Sequence, residues 1–179
     1  SQKDWMAAPG LTTLSDSRRA WRAHEEARLP RFYWDFSEAK RFLQKWETPY
    51  TPAVSLLFGL QASLRLVMQE GLPTVFARHE RLRDLTRFEA RRIGLRPFAG
   101  DAVASRTVTA LYVPDGLQAK EIVAAMRRRG IVIAGGQDAY AERVIRIGHM
   151  GFAREEDIEA TMRVLEAVLV GAREMAAVE

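Results

Sequence analysis

The segment Glu47-Thr48-Pro49-Tyr50-Thr51-Pro52 restricts this chain more than any other. Each proline lacks an amide donor and pushes the residue before it out of the helical region. No helix can run through the segment, so it reads as an extended, rigid connection. Beyond it the pattern predicts a helix from Ala53 to Glu70, apolar around most of its circumference and therefore buried. Ser55, Gln61, Ser63 and Arg65 interrupt the apolar stretch, which fits a buried helix rather than a membrane span. Gly71 stops that helix and Pro73 suits the start of the next. The second helix extends to about Ile93, with Val75, His79, Leu82, Leu85 and Phe88 or Glu89 near one face.

On the N-terminal side, residues 1–15 read as a loop with a Pro9-Gly10 turn and a short strand, Leu11 to Leu14. Ser15, with Asp16 and Ser17 beside it, is placed to cap a helix to about Arg28. Ser37 is placed to cap another from Glu38 to Trp46. After Gly94 the texture becomes β-rich. A strand between Arg106 and Val113 ends at Pro114-Asp115-Gly116, and a helix follows from Gln118 to Arg129. Ile131 to Ile133 reads as a strand, Gly135-Gly136 as a turn, and Val144 to Ile147 as a further strand. In the closing helix Ile158, Met162, Leu165 and Leu169 share a face. This order predicts an α/β fold, with a small two-layer domain over residues 72–179.

With 179 residues, 47% of them hydrophobic, the chain is long enough for one domain with a real core, or one domain plus part of another. The absence of cysteine removes disulfides, thiolate nucleophiles and cysteine metal sites. Net charge is only +4, and the arginines are interspersed with acidic residues. The tight cluster Arg127-Arg128-Arg129 closes a predicted helix, where cations suit the dipole. A nucleic-acid partner is therefore not expected, and neither is a membrane. The N-terminal residues show no signal-peptide pattern.

Four features offer chemistry, each with a plainer alternative. Lys3, in a polar loop, is one of only four lysines; it reads as a surface residue or as an amine able to form a Schiff base. Arg146 sits centrally in the apolar strand Val144-Ile145-Arg146-Ile147. Its fork suits either a structural salt bridge at the sheet edge or a substrate carboxylate. Thr48 and Thr51 present hydroxyls on a rigid backbone, good for a phosphate or for a simple helix-entry turn. Gly135-Gly136 allows close backbone approach or a tight turn. The three histidines show no metal-ligand spacing.

Those features fall in a familiar order. Ser1-Gln2-Lys3 with Ala8-Pro9-Gly10-Leu11, then Phe32-Tyr33-Trp34-Asp35, then Thr48-Pro49-Tyr50-Thr51-Pro52-Ala53-Val54, resemble successive signatures of class V pyridoxal-phosphate aminotransferases. The branch is that of the alanine–glyoxylate and serine–glyoxylate (serine–pyruvate) enzymes. Gly130-Ile131, Ile133-Ala134-Gly135-Gly136 and Arg146-Ile147-Gly148-His149-Met150-Gly151 match the branch's small-domain signatures, so the resemblance is collinear over essentially the whole chain.

The resemblance implies a fold-type-I α/β enzyme working as a homodimer with shared active sites. Residues 1–71 would end its large domain and residues 72–179 form its small domain. Lys3 would carry pyridoxal 5'-phosphate and act as the proton-transfer base, with Gln2 contacting the cofactor phosphate. Thr51 would contact the phosphate of the neighbouring subunit's cofactor, and Arg146 would hold the substrate carboxylate. The implied reaction moves an amino group from alanine or serine to a 2-oxo acid, glyoxylate or pyruvate, with a cytoplasmic location. Where some members have a tyrosine three residues before the phosphate-binding threonine, this chain has Thr48. Cysteine desulfurases share the fold class but need a cysteine that is absent here. The glycine-rich phosphate turn and the partners of the pyridine ring belong to the family's N-terminal half, so the chain is expected to be a C-terminal half with little cofactor affinity alone. A different class of reading is a non-catalytic α/β binding or assembly module, in which Lys3 and Arg146 are incidental.

Overall fold

A computed structural model describes the backbone of residues 2–176 and the side chains to Glu174. Ser1 and the C-terminal Ala177-Val178-Glu179 lie outside the described residues. The chain divides into two compact units, Ser1–Leu64 and Arg65–Glu179.

The first unit is helical. Helix α1 (Arg18–Glu26) is capped by Ser17, whose hydroxyl accepts from the Ala20 amide at 3.2 Å. Helix α2 (Phe36–Leu43) starts two residues earlier than expected, because Asp35 rather than Ser37 caps it. The Asp35 carboxylate accepts from the Ser37 amide at 2.8 Å, and a carboxylate suits a helix N-terminus better than a hydroxyl. The predicted strand Leu11–Leu14 is not formed. A β-prone run needs a ladder, and no strand occurs among the described residues of this unit. Residues 47–52 are irregular as the prolines require, and helix α3 (Val54–Glu70) begins directly after them.

The expectation that α3 is buried all round is corrected. Ser63 and Val67 are buried, but Leu57, Phe58, Leu66 and Met68 are largely exposed. A helix apolar on every side needs cover on every side, and this chain covers only one stripe.

The second unit has the expected two layers. Helix α4 (Leu72–Arg92) follows Gly71, whose φ of +82° breaks the run from α3. A four-stranded antiparallel sheet comprises β1 (Arg96–Pro97), β2 (Val108–Tyr112), β3 (Ala134–Gly135) and β4 (Val144–Gly148), in the order β1-β2-β4-β3. Helices α5 (Ala119–Arg128) and α6 (Glu155–Ala176) complete the unit. Strands β2 and β4 alternate: Thr109, Leu111, Ile145 and Ile147 turn inward to a core with Leu82, Ile122, Met126, Ile158, Met162, Leu165 and Leu169. Each such fully buried aliphatic side chain contributes about 1.5–3 kcal/mol. Of the two residues expected to end the α4 face, Phe88 is exposed and Glu89 half-buried; the buried stripe runs His79, Leu82, Thr86, Arg87 and Ala90.

Strand β3 also differs from expectation. Its pairing lies at Ala134–Gly135, not Ile131–Ile133. The Ile131 amide bonds back to the Met126 carbonyl at 3.1 Å, past Gly130 in a left-handed conformation. That αL exit closes α5, and β3 begins only three residues later, at Ala134.

Ion pairs tie the loops to this frame. Arg78 binds both Glu70 oxygens at 2.7 and 3.0 Å and donates to the carbonyls of Gly151 and Ala153. The nearly buried Arg87 donates to the Ala99 carbonyl and to Asp101. Arg91, with Arg87, holds the Asp101 carboxyl below the usual range.

His149, just beyond β4, is fully buried. Its Nδ1 faces the Arg106 carbonyl at 3.1 Å and its Nε2 the Thr109 hydroxyl at 2.9 Å. A carbonyl only accepts, so Nδ1 carries the proton and Nε2 accepts from Thr109. Burial pushes the His149 pKa down to about 4, despite the favourable backbone bond, with His79 and Arg83 adding repulsion. The unfolded chain, with an ordinary histidine, takes up the proton first as pH falls. Stability contributed by neutral His149 is therefore complete above about pH 6.5 and lost towards pH 4. We expect a loss of about 2 kcal/mol between pH 7 and pH 5 from this group. Chemical denaturation at the two pH values checks it. An equally steep loss in His149→Asn would show that another group titrates.

Candidate active site

Lys3, Gln2 and Thr51 lie in the first unit, and Arg146 in the second. Lys3 is exposed and opens a tight turn in which the Met6 amide donates to the Lys3 carbonyl at 2.9 Å. The loop is pinned to α3 twice. The Ser63 hydroxyl donates to the Trp5 carbonyl. Gly10, at φ +125°, lies so close to Leu56 that a Cβ there would come within 2.7 Å of its Cδ1. Only glycine fits both demands. Gln2 is exposed beside Lys3.

Thr51 is exposed between Pro49 and Pro52, immediately before α3. The Thr48 hydroxyl donates to the Tyr50 carbonyl at 2.7 Å. That bond fixes the turn and leaves Thr51 to present its hydroxyl. Tyr50 packs against Tyr33 at 4.6 Å and Phe32 at 6.0 Å between ring centroids, so the second and third sequence signatures meet as one aromatic cluster. Asp35, from the same signature, is structural: besides capping α2, it pairs with Arg31 at 3.5 Å and His24 at 3.4 Å.

Arg146 occupies the middle of β4, opposite Ala110 of β2 on one side and Ala134 of β3 on the other. Its neighbours Ile145 and Ile147 face the core, so its side chain lies on the opposite, outer face. Nε donates to the Gly135 carbonyl at 2.7 Å. Among the described residues no carboxylate pairs with it, so the salt-bridge alternative finds no partner. Both terminal amino groups remain available to a planar anion.

The Gly135-Gly136 pair serves this arrangement. Gly135 supplies the carbonyl that orients Arg146. The Gly136 amide donates to the Val144 carbonyl at 2.6 Å, and a Cβ on Gly136 would sit 2.1 Å from the Tyr140 carbonyl oxygen. Gly136→Ala is therefore expected to displace backbone, destabilising the second unit by about 1–3 kcal/mol, the usual range for overpacking. Thermal unfolding of the variant measures this; an unchanged midpoint would mean that the 136–140 turn yields freely.

Periodicity alone could place Arg146 opposite its inward-facing neighbours. It did not reveal Ala110 and Ala134 on either side of it, because those positions depend on strand register.

No protein-family model matches the chain. Over 170 residues it is 42% identical to a Synechococcus sp. (strain PCC 6716) protein named soluble hydrogenase, small subunit, a match covering 94% of this chain and 44% of that protein. Over 174 residues it is 33% identical to the serine–glyoxylate aminotransferase of Arabidopsis thaliana, covering 94% of the chain and 43% of that protein. The solved alanine–glyoxylate aminotransferase of Nostoc sp. superposes with a TM-score of 0.88 at 27% identity, over 94% of this chain and 46% of that one. The chain thus spans less than half the length of these relatives.

Fold, motif order and relatives agree: the chain is similar along its length to class V, fold-type-I aminotransferases, whose members of this kind depend on pyridoxal phosphate. It corresponds to their C-terminal half. The hydrogenase name is that of the cyanobacterial relative. Among the described residues here, no group of three His, Cys, Asp or Glu side chains could hold a metal. No helix of the described residues is long and apolar enough to cross a membrane.

Proposed function

We propose that this chain supplies the lysine-bearing and carboxylate-binding half of a cytoplasmic transaminase. The reaction passes an amino group from alanine or serine to glyoxylate or pyruvate, in a homodimer with shared active sites. Residues 1–71 contribute to the large, cofactor-binding domain and residues 72–179 form the small one. The observation that carries the reading is Arg146. It is half-buried in a sheet, oriented by one carbonyl, with no carboxylate among the described residues to neutralise it.

The residues present fit pyridoxal phosphate by their chemistry. Lys3 offers a primary amine for its carbonyl group, Gln2 an amide, and Thr51 a hydroxyl on a rigid backbone for a phosphate. When bound, the cofactor supplies an electron sink for charge developing at the substrate's α-carbon. The chain's own residues do the rest. Arg146 fixes the substrate by two parallel hydrogen bonds to its carboxylate, which orients the α-hydrogen. The Lys3 Nζ takes that proton and returns it, acting as a general base and then a general acid. Thr51 and Gln2 bind and orient without taking part in proton transfer.

The test is chemical. Borohydride reduction of the cofactor-loaded protein followed by peptide mapping is expected to find the pyridoxyl group on Lys3. A label on Lys40, Lys45 or Lys120, or a colourless full-length protein, overturns the reading. Arg146→Ala is expected to raise KM for amino and 2-oxo acids alike, with cofactor colour intact. The loss in kcat/KM should correspond to about 2–5 kcal/mol, as for truncating one member of a desolvated charge pair. Unchanged kinetics would remove Arg146 from the site.

A further inference from the structure

The outer face of the second unit's sheet is unusual in composition. A solvent-facing antiparallel face is ordinarily polar, but here the outward positions of β2 and β4 are Val108, Ala110, Tyr112, Gly148, the single cation Arg146, and Val144, which is buried beneath the 136–140 turn. The Phe98 amide donates to the Ala110 carbonyl at 2.9 Å, continuing the β1–β2 ladder. One row across the sheet therefore reads Phe98, Ala110, Arg146, Ala134. Strands are spaced about 4.8 Å apart, so the Phe98 and Arg146 backbones stand roughly 10 Å from each other. Ala110 of β2 is the residue of that row between them.

The far side of that gap is a wall of rings. Phe98 stacks on Tyr112 at 5.2 Å, 28° between planes, and meets Tyr140 edge-on at 5.0 Å and 88°. Arg96 lies over the Tyr112 ring at 4.0 Å and holds it from behind. Tyr140 comes from the turn that Gly136 allows to fold close, so the device that orients Arg146 also delivers the third ring. Phe98 and Tyr140 each remain 41% exposed, which leaves ring surface for a ligand. On the near side, the bond to Gly135 draws Arg146 towards β3 and away from Ala110.

We propose that this strip is a side-chain subsite for aryl-substituted carboxylates. Arg146 takes the carboxylate, Ala110 forms the floor, and Phe98, Tyr112 and Tyr140 receive an aromatic group two to three carbons away. The substrate range thereby extends beyond small aliphatic acids to aromatic amino and 2-oxo acids. The inference rests on Arg146 binding a carboxylate.

Binding to the full 179-residue chain tests it without turnover, using 3-phenylpropionate and propionate as probes and NMR titration as the readout. Phenylpropionate is expected to bind at least about tenfold more tightly, the scale of one favourable aromatic contact plus buried area. Phe98→Ala and Tyr140→Ala should bring the ratio of the two affinities close to one. Where Phe98→Ala fails to fold, Phe98→Leu keeps apolar volume and should still reduce the ratio. Arg146→Met should abolish binding of both probes. Equal affinities in the parent chain, both lost in Arg146→Met, would overturn the aryl subsite while leaving the carboxylate role intact. Binding indifferent to Arg146→Met, or no binding of either probe, would overturn both.

Discussion

The pairing of β2 with β4 is the contact on which the second unit depends. Its five registered positions, from Val108 opposite Gly148 to Tyr112 opposite Val144, set which residues enter the core and which do not. A slip of one residue would turn Arg146 into the apolar layer and expose Ile145 and Ile147. Burying an unpaired guanidinium there would cost far more than the ladder could return. The register is therefore held by the same asymmetry that leaves Arg146 exposed to a ligand. Fold and candidate chemistry are one constraint in this unit.

The loops on either side of that ladder are secured by charge and hydrogen bonding rather than by apolar burial alone. Arg78 gathers Glu70 and two carbonyls after β4, and Arg87 gathers the loop before β2 through Ala99 and Asp101. His149 joins the two strands' ends through Arg106 and Thr109. Each linkage satisfies backbone carbonyls that the sheet leaves unpaired. Each also makes the segment around Arg146 dependent on groups that never face a ligand.

The first unit follows a different logic. Prolines, a left-handed glycine and a Thr48 bond to backbone shape it, and much of its apolar and aromatic surface is exposed. The Lys3 turn is held against α3 by Trp5 and Gly10, which fixes the backbone while leaving the amine open. That combination suits a group whose reactivity comes from what is bound beside it.

Much of this was legible in one dimension. The two prolines dictated the break at 47–52, Gly71 and Pro73 divided α3 from α4, and alternation predicted β2 and β4. The motif order identified the family and drew attention to Lys3, Gln2, Thr51 and Arg146. Local preference misled where a long-range partner decides: Leu11–Leu14 found no ladder, Ile131–Ile133 gave way to an αL exit from α5, and Asp35 displaced Ser37 as a cap. The sequence by itself determined which residues carry charge, hydroxyl or conformational freedom, because those are properties of single side chains and their neighbours. Only the tertiary structure decided that no carboxylate among the described residues pairs with Arg146, that Ala110 and Ala134 flank it, and that rings from three distant segments meet at Phe98. Those are facts of register and packing between residues far apart in the chain, which no local pattern encodes.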